Sequence, residues 1–260
     1  GTLFEGASHL SSWDAQEVGA YEGEVGPMAI DAGRTYEGAN DFYSDSPARV
    51  AQVFAQALGA AGINATLGEA GEPPAGAAAL ATVSSATMGE QLRWMLAHSD
   101  NTLADQYCRF AARAAGAPAT YEGATSTVAS TLSAAGVPTE GLFLEDCSGL
   151  SSNDRISANT LVGVLKASYS GQGTSADTMR LLPWAGLVGT LSKRMTEEPA
   201  VGNVQAKTGA LAEVSSLSGS VITRGGRVLL VSIGHDQVTA GALATRGRLD
   251  AFEEGLAGLN

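Results

Sequence analysis

Ser215-Ser216-Leu217-Ser218-Gly219-Ser220-Val221-Ile222-Thr223, then Arg224-Gly225-Gly226-Arg227, then Val228-Leu229-Leu230-Val231-Ser232-Ile233 decide the fold class. They read as a strand over 215–223, a Gly-Gly turn over 224–227 and a second strand over 227–233, because β-branched and aliphatic runs on either side of a two-glycine turn favour a hairpin. Just upstream, Val201 to Ala206 reads as a third strand. Downstream, Ala242 to Leu259 reads as an amphipathic helix with Leu249, Phe252 and Leu256 on one face. Strands closed by a helix, after a long helical middle, predict an α+β arrangement: an antiparallel sheet packed with a helical cluster.

The helical middle is read from spacing and punctuation. Ser46 as N-cap and Pro47 at the first helical position open a helix carrying Val50, Phe54 and Leu58 at spacing four, ending near Gly59–Gly62. Residues 84–115 carry two stripes, Met88/Leu92/Met95/Leu96 and Leu103/Tyr107 with Phe110 or Ala111. His98-Ser99-Asp100-Asn101 separates them as a polar turn between two helices. Further helices are expected over about 122–135 and over Ser157 to Ala167. Residues 1–45 read as short strands and turns, and Ala65-Thr66-Leu67 as a short strand. Gly71-Glu72-Pro73-Pro74-Ala75-Gly76 is the best linker candidate.

Composition excludes several classes. The 260 residues are 44% hydrophobic and 16% charged, too apolar for a disordered chain. No apolar run reaches the roughly 18–20 residues that a membrane helix needs. Fifteen basic against 27 acidic side chains give a net charge of −12, which repels phosphate backbones and argues against a nucleic-acid partner. The acidic excess is most simply a soluble surface. Gly1 through Glu5 lack the basic and apolar stretches of a signal peptide, so either a signal has been removed or the chain is a piece of something longer. Cys108 and Cys147 allow one disulfide or two packed thiols.

Common catalytic signatures are missing. His9, His98 and His235 make no metal-ligand spacing, and no cofactor motif, G-x-S-x-G elbow or phosphate loop occurs. Two tripeptides stand out instead: Ser99-Asp100-Asn101 between two helices and Lys207-Thr208-Gly209 at the end of a predicted strand. Each arises by chance in about 3% of chains this long, and both in this order in about 0.1%, so coincidence is the weaker explanation. Read alone, Ser99 or Asn101 caps the helix starting near Thr102, and Lys-Thr-Gly is a strand end. Read together, they suit acyl transfer. Ser99 passes a proton to a leaving group, Asn101 orients a substrate peptide group, Lys207 supplies positive charge, Thr208 binds a carboxylate, Gly209 lets substrate lie on the strand edge, and the Ala210 N–H donates into an oxyanion hole. Asp100 braces rather than reacts, His98 is a surface or packing residue, and Met88, Trp94 and Met95 line a core or groove.

With these motifs the chain resembles the DacB-like D-alanyl-D-alanine carboxypeptidases/endopeptidases, the class C low-molecular-mass penicillin-binding proteins. Gly26-Pro27-Met28-Ala29-Ile30-Asp31-Ala32-Gly33-Arg34, Met95 through Asn101, Asp146-Cys147-Ser148-Gly149-Leu150-Ser151, Leu182-Pro183 through Gly189-Thr190-Leu191, and Ala206 through Leu211 follow the family's order. The family's nucleophile sits in S-x-x-K, and none exists here: Gly163, Thr190 and Val204 stand three residues before Lys166, Lys193 and Lys207. Thr190-Leu191-Ser192-Lys193 is the nearest imitation and reads as structural.

The resemblance implies a serine-type enzyme acting on D-Ala-D-Ala ends or cross-links of peptidoglycan stem peptides, acylated by β-lactams, extracytoplasmic, and without cofactor or metal. It implies that the nucleophile lies on a missing N-terminal segment, and that this chain needs that segment bound to complete its sheet. It assigns 1–78 to an inserted accessory region and 79–260 to the C-terminal part of a transpeptidase-like domain. An extracytoplasmic home and the even cysteine count then favour a Cys108–Cys147 disulfide. A non-catalytic homologue that binds peptidoglycan or a partner is the alternative reading, and a β-lactamase ranks last. Finally, the Asn101 amide and the Lys207 ammonium are expected to line one cleft.

Overall fold

A computed structural model describes residues 3–72, 74–171, 178–239 and 241–260; of the linker candidate at 71–76, Pro73 lies outside them. By its internal contacts the chain divides into two compact units. The first comprises Gly1–Ala86, Asp100–Val128 and Leu144–Asp154, and the second Thr87–Ser99, Ala129–Phe143 and Arg155–Asn260.

In the first unit, residues up to 45 form turns, a 3-10 turn at Asp31–Gly33 and isolated bridges, Val18 with Glu22 and Arg34 with Phe42. Among the described residues the expected short strands are absent there, and Ala65-Thr66-Leu67 is exposed and irregular. Neither stretch has a neighbouring strand to supply ladder partners, so local β-preference is not realised. Helix α1 (Ser46–Ala60) forms as expected, shifted by one residue at its start. Asp45, not Ser46, is the cap, its carboxylate accepting from the Ala48 N–H at 2.8 Å. Phe54 is exposed, so the spacing-four stripe does not all face a core.

Helix α3 (Asn101–Ala114) departs most from its sequence reading. Its buried face includes Thr102, Asp105, Gln106 and Arg109 besides Leu103, Cys108 and Ala112. The Arg109 guanidinium is buried and saturated by carbonyls: Nε donates to Ala119 O at 2.9 Å, and the terminal nitrogens donate to Glu5, Ala7 and Val25 oxygens. Phe4 and Tyr121 flank the cation at 4.6 and 5.1 Å. One charged side chain thereby ties the irregular N-terminal segments to a helix, beside the ring contacts Phe4–Phe110 and Trp13–Tyr121. Cys108 is disulfide-bonded to Cys147, with 6.3 Å between their Cα atoms. This links α3 to the Asp146–Ser151 turn, whose Asp146 carboxylate accepts from Trp13 Nε1 and from the Gly149 and Ser151 amides. Helix α4 (Tyr121–Ala134) begins in this unit and ends in the second.

The second unit is built on an antiparallel sheet in the order β1-β2-β3, with β1 at Val204–Ala210, β2 at Ser215–Ile222 and β3 at Val228–His235. The 224–227 turn joins β2 to β3 as expected, with the Thr223 N–H bonded to Arg227 O at 2.8 Å. One sheet face presents Val204, Ala206, Leu217 and Val221, all at most 1% exposed, to Leu249 and Ala257 of α7 (Ala242–Ala257). Phe252, expected on that face, is exposed. Leu230 packs with Leu96, Leu165, Met179 and Leu182, drawn from α2 (Met88–His98), α5 (Ala158–Tyr169), α6 (Thr178–Leu181) and the residue after it. Helices on both faces of an antiparallel sheet agree with the α+β reading. Thr87 opens α2 with a capping box, its hydroxyl and the Glu90 carboxylate exchanging bonds with each other's backbone amides. The start at Met88 rather than near 84 follows from that cap, and Met88 itself is exposed.

Among the described residues no helix is long and apolar enough to cross a membrane.

Candidate active site

The segment between α2 and α3 is shaped by its backbone. Ser99 ends α2 in the left-handed region (φ 54°, ψ 50°), and its N–H bonds Met95 O. A side chain in that conformation costs about 1 kcal/mol against glycine, and it is tolerated here because the surrounding structure determines it. Asp100 then caps α3: one carboxylate oxygen accepts from the Leu103 N–H at 2.9 Å, and the other is paired with Arg34 at 2.8 Å. It is buried and fully engaged in bracing. Asn101, which belongs to the first unit, donates from Nδ2 to Tyr21 O at 3.1 Å.

Within the second unit the geometry brings Ser99 to Lys207. Lys207 Nζ donates to Ser99 Oγ at 2.7 Å and to Thr208 O at 2.6 Å. Burial pushes the ammonium's pKa down to about 8, since desolvation disfavours the charged form. Its observed ligands are a hydroxyl and a carbonyl. The ammonium therefore keeps an uncompensated positive field and gives up a proton more readily than an exposed lysine.

Lys207-Thr208-Gly209 lies within β1, not at its end, because the strand runs on to Ala210 before the Leu211–Val214 turn. Strand parity sets the orientation of each group. Ala206 N–H donates to Pro183 O and Val204 O accepts from the Ala185 N–H, so even-numbered residues turn their amides away from β2. Thr208 and Ala210 N–H point the same way, and beyond Ala206 this edge has no backbone partner among the described residues. It is open for an extended peptide to add as a strand. Gly209 lies opposite Ser216, and a Cβ there would fall on the Ser216 hydroxyl, so close cross-strand approach excludes a side chain.

Thr208 Oγ1 donates to Thr190 Oγ1 at 3.0 Å. Thr190 sits in a 3-10 turn, Gly189–Leu191, whose Leu191 is fully buried. The sequence reading gave Thr190 no part beside Thr208. Its signal was present only as position, in the stretch between Leu182-Pro183 and Leu191. His98 stacks on Trp94 at 3.7 Å between centroids and bonds Trp94 O through Nδ1. It takes no part in this cluster. No group of three or more His, Cys, Asp or Glu among the described residues is placed to hold a metal ion.

The first unit holds a separate cluster, of buried acids. Glu22 is fully buried and its pKa is raised well above the usual carboxylate range, first by burial and then by Asp105. Asp105 is raised to about 6 by burial and by Asp146, while its Oδ1 accepts from the Cys147 N–H at 2.7 Å. Asp154 is raised to about 7, chiefly by burial. Sequence spacing gave no sign of this convergence of Glu22 with Asp105, which are 83 positions apart (105 − 22).

Comparison with known proteins gives a consistent set of similarities. Residues 2–256 match the D-Ala-D-Ala carboxypeptidase 3 (S13) family. Carboxypeptidase DacB of Mycolicibacterium smegmatis is 36% identical over 242 residues, covering 89% of this chain and 52% of that protein. The D-alanyl-D-alanine carboxypeptidase of an Actinomadura species is 35% identical over 188 residues, covering 68% of this chain and 35% of that one. Among solved structures, penicillin-binding protein 4 (dacB) of Haemophilus influenzae, crystallised with a β-lactam, superposes with a TM-score of 0.69 at 28% identity, covering 83% of this chain and 51% of that one. The chain thus spans about half the length of the relatives it most fully matches.

Proposed function

The chain belongs to the D-Ala-D-Ala carboxypeptidase 3 (S13) family, and from that premise we propose that it forms part of a serine-type D-Ala-D-Ala carboxypeptidase/endopeptidase working by acyl-enzyme chemistry. The observation that carries this reading is the 2.7 Å bond from Lys207 Nζ to Ser99 Oγ. Because the Ser99 oxygen accepts from lysine, its own hydrogen is free to be donated. Lys207, near its pKa at neutral pH, resupplies the proton, so the pair relays one to a departing amine. Thr208 on the open edge binds the terminal carboxylate of the substrate, and the Ala210 N–H, turned outward by strand parity, donates to the developing oxyanion. Gly209 leaves room for substrate backbone.

The nucleophile comes from outside these 260 residues, which contain no S-x-x-K. Two features support an additional segment. The relatives are about twice as long, and β3 has no further strand beside it among the described residues, although it runs for eight. A half-buried unpaired edge favours addition of another strand. Residues 1–78 then form an accessory region and 79–260 the catalytic domain's C-terminal part.

Substrates on this reading are peptidoglycan stem peptides ending in D-Ala-D-Ala. β-Lactams acylate the complete site, and the working location is the cell envelope or beyond it. Fluorescent penicillin distinguishes the possibilities. The chain together with an S-x-x-K-bearing N-terminal segment should label covalently, and the chain alone should not. Labelling of the chain alone overturns the external nucleophile, and failure of the completed protein to label favours a non-catalytic peptidoglycan-binding homologue.

A further inference from the structure

We propose that Thr190 is a positioning residue for recognition of the ligand's carboxylate, acting through Thr208; the inference rests on the carboxylate-binding role assigned to Thr208 above. A threonine hydroxyl has one hydrogen and two lone pairs. In the structure the Thr208 hydrogen is directed at Thr190 Oγ1 across 3.0 Å, so Thr208 presents only lone pairs to an arriving anion. Lone pairs repel a carboxylate. Reversing the pair removes the conflict: a small turn of the Thr190 side chain lets its O–H donate to Thr208, and Thr208 turns its hydrogen to the carboxylate. A hydroxyl that accepts one hydrogen bond also donates a stronger one. Thr190 therefore completes a two-hydroxyl relay that exists only when the ligand carries an acceptor.

The turn holding Thr190 is fixed by close backbone approach. Gly189 is in the left-handed region (φ +61°), and a Cβ there would lie 2.9 Å from Ala97 Cα and 3.0 Å from Ala97 C. Gly186 N–H bonds both Leu191 O and Arg194 O, at 2.9 and 3.0 Å. Leu191 is fully buried. The hydroxyl of Thr190 is thus held between the last turn of α2, which leads to Ser99, and the open half of β1.

The test measures equilibrium binding by NMR titration to the chain combined with an S-x-x-K-bearing N-terminal segment whose nucleophilic serine is replaced by alanine, using an acyl-D-Ala-D-Ala peptide and the same peptide with a C-terminal amide. The parent should prefer the carboxylate. Thr190→Val should cut affinity for the carboxylate peptide by roughly fivefold, the scale of one weakened charge-assisted hydrogen bond, and weaken amide binding less, because the amide carbonyl is a neutral acceptor. Thr190→Ser should restore the preference. Thr190→Ala replaces the valine variant should thermal melts show that the latter is unfolded. An undiminished preference in the variant overturns the inference while leaving Thr208's role intact. An equal loss for both peptides makes Thr190 merely structural and overturns it as well. A parent without preference removes Thr208's role and the inference together, and penicillin labelling of the completed protein reports separately on acyl transfer.

Discussion

Lys207 Nζ meets Ser99 Oγ at 2.7 Å, although 108 positions separate them in the chain. This relation joins the end of a helix to the middle of a strand, and it places a strained serine against a desolvated cation. Both features cost stability, and neither is repaid by an ion pair at the lysine among the described residues. Unfavourable groups held together this way mark sites shaped for chemistry rather than for folding.

Removing the cation should therefore stabilise the chain. Lys207→Met keeps the aliphatic stem and deletes a buried charge, so a gain of about 1–3 kcal/mol is expected at pH 7. The pH dependence has a definite sign. Burial lowers the lysine's folded-state pKa to about 8, so between there and the usual lysine value the unfolded chain binds more protons, and parent stability rises with pH. The gap between parent and variant should close as pH rises through that window. Urea melts at pH 7 and pH 10 measure it; a destabilised variant, or a gap that widens with pH, contradicts the account.

The acid pair in the first unit predicts the opposite slope. Glu22 and Asp105 both have raised folded-state pKa values, Asp105 to about 6 and Glu22 further above its usual range. The stabilisation from the protons that Glu22 and Asp105 keep in the folded unit is complete below the unfolded carboxylate pKa and is lost as pH rises through the folded values. Between pH 5 and pH 8 the first unit should lose roughly 1–3 kcal/mol. Nearby Asp146 adds to the repulsion, and Arg109 and Tyr121 sit in the same field. Glu22→Gln lets an amide donate permanently to Asp105 and should flatten the slope. Hydrogen exchange of α3 amides at the two pH values reads it, and an equally steep slope in the variant excludes the pair as its cause.

Reduction of Cys108–Cys147 should loosen the same unit. The two residues are 39 positions apart, and a closed loop of that size restricts the unfolded chain by about 3–4 kcal/mol. In the folded unit the bridge holds the Cys147 amide on Asp105, so its loss also frees a buried acid. A Cys108→Ala/Cys147→Ala chain should show a lower urea midpoint than the oxidised parent, together with faster exchange in α3. Identical midpoints with and without reductant would falsify this contribution.

How legible these features were in the sequence differs by element and for physical reasons. The hairpin over 215–233 and the helices over 46–60, 121–134 and 158–169 were readable because turn glycines, caps and apolar spacing act locally. Ser99 and Lys207 were readable as types, through their tripeptides. The polar buried face of α3 was not, since Arg109 is buried against carbonyls contributed by Glu5, Ala7 and Val25, distant in sequence. The irregular first 45 residues misled for the same reason: Arg109 and the Trp13–Asp146 bond order them, not ladders of their own. Thr190 read as structural, since no spacing rule encodes its 3.0 Å contact with Thr208.

Gly189 offers a last, sharper check of how the site is held. Two glycines with positive φ can be compared. Gly226, in the β2–β3 turn, has φ +79° and open space where a Cβ would go, so Gly226→Ala meets backbone strain alone, about 1 kcal/mol. Gly189 has φ +61° and faces the Ala97 backbone at 2.9–3.0 Å, which cannot swing aside as a flexible side-chain tip would. Gly189→Ala must add a steric term and push the 189–191 turn off the end of α2. A loss of about 2–4 kcal/mol is expected, combining left-handed strain with overpacking. Because that turn carries Thr190 and abuts the residues leading to Ser99, the variant should also bind the carboxylate peptide more weakly, whereas Gly226→Ala should bind as the parent does. Equal destabilisation by the two substitutions would show that the turn has room to move, and that Ala97 does not set its position.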